Sequence, residues 1–98
     1  MFYTIKQAIR EQSRLRLSLA EGEYLVEPHV MGRTRAGKTV LRAYQLRGPR
    51  SVAKPASWRL FDLATIERAV EAGDRFERPR PGYKPNDPTM KGGIIEAM

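Results

Sequence analysis

The chain of 98 residues contains no cysteine and only one histidine, His29. The first absence excludes disulfides and thiolate metal sites. The second leaves a zinc ion, which takes about four ligands, without a ligand set. Neither a metal nor a cofactor is expected. No apolar run approaches the ~18–20 residues that cross a bilayer. The opening Met1-Phe2-Tyr3-Thr4-Ile5-Lys6-Gln7 lacks the charged-then-apolar layout of a secretory signal. The expectation is a soluble, cytoplasmic protein with no membrane partner. No Ser-His-Asp set and no paired carboxylates can be argued from the spacing, so enzyme activity is not expected.

The more informative absence is of acid. Pro28 to Phe61 holds no Asp or Glu, yet carries Arg33, Arg35, Lys38, Arg42, Arg47, Arg50, Lys54 and Arg59. These eight cations exceed the net charge of +7 for the whole chain, so the remainder sums to −1. A basic surface on a small framework points to an anionic partner: phosphate, nucleotide or nucleic acid.

Thr4 to Gln12 reads as a short helix, with Thr4 and Gln7 in a capping-box relation and Ile5, Ala8, Ile9 and Gln12 on one face. Leu15, Leu17 and Leu19 alternate with Arg14, Arg16 and Ser18, as in a half-buried strand. Glu21-Gly22 makes a turn, and Tyr24 to Glu27 resumes the strand to form a hairpin. Pro28 lacks a ladder donor and is expected to end that strand or lie on an edge. After a basic turn over Gly32 to Lys38, Thr39 to Leu46 is a third strand, with Leu41 and Ala43 facing opposite to Val40, Arg42, Tyr44 and Leu46. Arg47 to Ala56 is a loop. Ser57 to Phe61 is a fourth strand, with Trp58 and Leu60 on one face and Arg59 and Phe61 on the other. Asp62 is expected to cap a helix from Leu63 to about Ala72, closed by Gly73. Residues 1–75 thus form one domain, mainly β with flanking helices. From Phe76 onward, Pro79, Pro81, Pro85 and Pro88 prevent regular structure. Residues 76–98 are an extended tail, pinned by Phe76 and Tyr83 or else disordered.

These elements, taken in order, resemble the WYL domain family. The matching residues are Ala8-Ile9, Leu15-Arg16-Leu17, Val26-Glu27-Pro28, Leu41-Arg42-Ala43-Tyr44, and Arg59-Leu60-Phe61-Asp62-Leu63 with Ile66. They span about residues 5 to 66. The family's Trp-Tyr-Leu triplet falls on Thr39-Val40-Leu41, where only the Leu is kept. The resemblance implies a small Sm-like or SH3-type β-barrel. It also implies a ligand-sensing module of the kind that accompanies bacterial transcription regulators, here without a helix-turn-helix of its own.

Arg59 is the leading site residue. Guanidinium offers a planar fork to phosphate, and the resemblance places Arg59 at the family's Arg-x-Phe step. The alternative is a cross-strand pair with Glu27 or another carboxylate. Arg42 and Tyr44 share a strand face, which suits a base stacked above a sugar-phosphate; otherwise Tyr44 packs inward under Arg42. Trp58 either stacks a base or fills the core. Arg33, Arg35 and Lys38 form a loop able to grip phosphates without reading sequence. His29 is a donor to phosphate or, more simply, a structural residue. Gly32, Gly37, Lys38 and Thr39 have P-loop spacing. That motif needs a preceding buried strand and a following helix in a larger α/β domain, and a strand is expected to follow here.

Together these features predict a binding module for single-stranded nucleic acid, with Arg42 and Arg59 on phosphate and Tyr44 or Trp58 on a base. Two other readings stay open: a sensor of a small nucleotide-type ligand, and a protein-interaction module with residues 79–88 as docking arm. A homo-oligomer or a regulatory protein partner is compatible with all three.

Overall fold

The computed structural model describes residues 1–49 and 56–98. Arg50 and Lys54 of the basic window, and most of the Arg47–Ala56 loop, lie outside the described residues. The chain runs through α1 (Phe2–Glu11), β1 (Ser13–Leu19), β2 (Gly22–Arg33), β3 (Thr39–Arg47), β4 (Ser57–Asp62), β5 (Arg68–Arg75) and β6 (Gly93–Ala97). The strands pair antiparallel in the order β4-β3-β2-β1-β5, and β6 adds to β2. Among the described residues the protein is therefore mainly β with one α-helix. The sheet is open: β4 and β5 end the five-strand path, β6 pairs with β2 alone and adds a further edge, and the expected barrel closure is not formed among the described residues.

Period-2 alternation sets the two faces. Leu15, Leu17 and Leu19 of β1 are buried on one face with Tyr24, Val26, Leu41, Ala43 and Phe61. Helix α1 covers this face with Ile5, Ala8 and Ile9, three residues of one stripe. Burying an Ile side chain contributes about 1.5–3 kcal/mol, enough to hold a ten-residue helix that would be marginal alone. The helix begins at Phe2 with Met1 as its N-cap and no side-chain cap, so Thr4 lies inside the first turn rather than before it. Gln12 ends it in the left-handed region at φ 56°, and its side-chain amide donates to the carbonyls of Phe76 and Glu77.

Pro28 does not end β2. The strand runs on to Arg33, through an irregularity in which Pro28 faces Ala43 and Val30 faces Arg42, leaving His29 unpaired between them. A bulge is the place where a residue without an N–H fits inside a sheet. Beyond it, one edge of β2 changes partner. Residues 22–26 pair with β1, and residues 30–33 pair with β6. At the end of β2, a hairpin turn over Thr34–Lys38 leads straight into β3, so the P-loop spacing there has no following helix.

The helix expected over Leu63–Ala72 is instead a single 3-10 turn, Leu63–Thr65, followed by β5. Asp62 does cap, accepting from the Ala64 amide, and Gly73 does take a positive φ of 93°. The local signals were present, but β1 needed a partner for its outer edge. Ladder hydrogen bonds from Ser13 to Ser18 draw residues 68–75 into an extended form.

Residues 77–92 cross the second face of the sheet as an irregular strap and lead into β6. Phe76 and Met90 are buried and Tyr83 half-buried, so the segment read as a tail packs on the body. Val30, Val40 and Met90 form a second small core beneath the strap, with Tyr83 and Ala97 against it. Gly32 permits close approach here: a Cβ on it would sit 2.6 Å from the Gly93 carbonyl and 2.9 Å from the Met90 sulfur.

Candidate functional site

The strap is fixed by polar contacts to residues that the sequence singled out. Glu27, inside β2, is fully buried and accepts from Arg14 Nε at 2.9 Å and from Arg80 Nε at 2.6 Å. Burial alone would raise its carboxyl, but the bonds from Arg80 and Arg14 outweigh that and hold it below the ordinary value. Arg80 of the strap also lies 4.8 Å from the centre of the Tyr44 ring.

His29 is buried, and both ring nitrogens meet the backbone. Nδ1 lies 2.8 Å from the Glu27 carbonyl, and Nε2 accepts from the Arg80 amide at 3.0 Å. The ring is therefore neutral, with its proton on Nδ1. Burial lowers its pKa, only partly offset by the Glu27 carbonyl. Trp58, Phe76 and Tyr83 surround it at centroid distances of 4.6, 5.3 and 5.3 Å. His29 is a structural residue here, with no nitrogen left for phosphate.

Cross-strand register places Glu27, Tyr44 and Trp58 in one row on the strap-covered face. Arg42, with Val30 and Leu60, forms the next row. Arg42 Nε donates to Asp87 at 2.8 Å. Burial opposes ionisation of Asp87, but Arg42 and Thr89 outweigh it and lower its pKa to about 2. Trp58 Nε1 donates to the Pro81 carbonyl at 2.9 Å, and its ring meets Tyr44 edge-on at 5.5 Å. The groups expected to hold a base and its phosphate are thus turned on the chain's own strap. The cavity left beside Arg42, Trp58, Tyr83, Lys84 and Asp87 is about 180 Å³.

Arg59 lies on the other face. It pairs with Ala43 while Arg42 pairs with Leu60, so the two arginines project to opposite sides of β3 and β4 and cannot clamp one ligand. Its guanidinium sits over the rings of Tyr24 and Phe61, at 4.9 and 5.3 Å. The alternative pairing with Glu27 is not made among the described residues; Glu27 belongs to Arg14 and Arg80. Arg33 and Arg35 are exposed around the β2–β3 turn, and Lys38 reaches Asp62 at 3.8 Å.

Sequence reasoning missed a second group of cations. Arg16, Leu25 and Arg47 fall in one row across β1, β2 and β3, and Val70 of β5 continues it. This row lies beyond the strap: Arg16, Arg47 and Val70 are exposed. Neither arginine has a carboxylate partner among the described residues. The signal was the alternation of Arg14, Arg16 and Ser18 opposite the leucines, which marks the uncovered face of β1.

The chain matches no family model, no curated protein and no solved structure. Of the residues that carry the WYL resemblance, Val26-Glu27-Pro28 forms the middle of β2, and its Glu27 anchors the strap. Among the described residues no group of three or more metal-ligating side chains comes together, and no helix is long and apolar enough to cross a membrane.

Proposed function

We propose that the protein binds nucleic acid through the phosphate backbone, on the half of the second sheet face that the strap leaves uncovered. The observation that carries this reading is the row Arg16–Leu25–Arg47: two exposed arginines without a carboxylate partner among the described residues, set two strands apart, about 10 Å, on the sheet. Arg33 and Arg35 sit at the other end of β2, beyond the strap-covered rows, and form no part of this surface. Guanidinium on a fixed strand is suited to phosphate oxygens, and contacts of this kind position a strand without reading its bases.

Stacking plays no part in this reading, because Tyr44 and Trp58 are already engaged within the protein. The ligand-binding role implied by the WYL resemblance is kept, but it moves from the Arg42 and Arg59 strands to the open face. An Sm-like barrel would require β4 and β5 to meet, and this reading rests instead on the open sheet. A small nucleotide beside Arg42 is disfavoured. The cavity is below the roughly 300–1,000 Å³ of ligand pockets, and Asp87 neutralises its arginine. Residues 79–88 lie against the protein's own sheet, which disfavours a docking arm.

The test is fluorescence anisotropy with labelled single-stranded and duplex oligonucleotides at about 50 mM salt, where backbone binding is strong. Binding should weaken steeply with salt. Arg16→Gln with Arg47→Gln should reduce the salt slope by roughly two phosphate contacts. No binding at low salt, or binding indifferent to both substitutions, would falsify the proposal.

A further inference from the structure

Glu27 does more than anchor the strap. Its buried charge fixes two guanidinium groups that remain partly in solvent, Arg14 at 25% and Arg80 at 38% side-chain exposure, against 1% for Glu27 itself. Arg80 binds it through both Nε and Nη2. Arg14 divides its donors between Glu27 and Asp74. Each guanidinium has five N–H donors, and each spends two here, so donors remain on both.

Those two arginines line a groove of about 520 Å³ between the start of β1 and the strap. Arg75 and Arg78 line it as well, with Phe76 and Pro79 forming its apolar wall; Glu77 and Glu27 are its two carboxylates, so the four arginines leave it net cationic. Arg75 and Arg78 are exposed and lack a carboxylate partner among the described residues. The groove thus combines two pinned arginines, whose side-chain ordering is already met by folding, with two unspent ones. An anion held by Arg14 and Arg80 requires little further loss of conformational freedom from those two side chains.

We propose that this groove is a phosphoryl-binding site, with Arg14 and Arg80 as preorganised donors and Arg75 and Arg78 as the charge that recruits the anion. The ligand chemistry is a phosphate monoester or inorganic phosphate, carried by a nucleic-acid end or by a free small molecule. The site stands apart from the Arg16–Arg47 row and does not depend on it.

The experiment is an NMR titration of the full chain with inorganic phosphate, holding ionic strength constant with chloride. The expected result is saturable shifts in the Phe76–Arg80 amides and in the Arg14 and Arg80 Nε resonances. Arg75→Gln with Arg78→Gln should weaken binding about tenfold or more, the scale of removing two nearby positive charges from an anion site. Arg16→Gln with Arg47→Gln should leave these shifts intact even where it abolishes oligonucleotide binding, so the two proposals fail separately. A 5′-phosphorylated trinucleotide that binds more tightly than phosphate assigns the source to a nucleic-acid end. Equal affinity assigns it to a small ester. Shifts that do not saturate, that spread over all arginines, or that survive the Arg75 and Arg78 substitutions would overturn the site.

Discussion

Glu27 shows how a single residue can be read correctly as important and wrongly as to why. Its place after Val26 and before Pro28 drew attention to a strand step, and its charge suggested a partner for Arg59. In the fold it holds Arg14 and Arg80 from a fully buried position. Removing one member of a buried charge group costs about 3–5 kcal/mol when the remaining charge is trapped. Here both arginines reach solvent, so the lower end applies. Glu27→Ala should destabilise by about 3 kcal/mol in urea denaturation, and a change within a few tenths of the parent value would refute the anchoring role. Arg42 gives the same lesson with opposite sign. Its shared face with Tyr44 was legible from alternation, but its partner Asp87 lies 45 positions along the chain. Spacing rules reach neighbours on one element and carry no information about such a distant carboxylate.

The elements differ in how openly the sequence declares them. The leucines of β1 and the two faces of β3 and β4 follow from a period of two, which the fold preserves, while the turn expected at Glu21-Gly22 falls one residue earlier, at Ala20-Glu21, with Gly22 already paired in β2. The segment after Asp62 carried two conflicting signals. Leu63, Ile66, Ala69 and Val70 suit a helical stripe, yet the vacant edge of β1 takes residues 68–75 as a strand. Backbone pairing across a sheet overrides a weak local preference. The strap has no periodicity at all, and its conformation is set by where it lands. Gly82 reports this: it has φ 91°, and a Cβ there would meet Trp58 Nε1 at 3.1 Å. Gly82→Ala should therefore cost on the order of 1–3 kcal/mol through the left-handed backbone. It should also change tryptophan fluorescence, since Trp58 is the chain's one tryptophan. An unaltered melt and spectrum would argue that the strap does not sit on Trp58.

At the scale of the whole molecule, three buried groups make stability depend on pH in one direction. His29, Glu27 and Asp87 all have folded pKa values below their ordinary ones. In each case the unfolded chain binds more protons in the acid range, so stability rises with pH there. It should be complete above about pH 6.5, the unfolded histidine value. It should fall first as His29 charges against the Arg80 amide, then more steeply below 4.5 as the carboxylates protonate toward the value of about 2 for Asp87. Thermal melts from pH 7 to 3 check this, and His29→Gln should flatten the upper step. A melting temperature constant from pH 7 to 4 would contradict the arrangement.

The sequence by itself determined the strand alternation, the covered face of α1 and the acid-free basic window, because these depend on residue type and local period. Only the tertiary structure decided that the sheet stays open, that the proline-rich segment becomes a strap, and which cations remain unspent. Those outcomes depend on pairings between residues far apart in the chain. A buried carboxylate such as Glu27 or Asp87 consumes whichever arginine the fold brings to it, and local pattern does not say which one that will be.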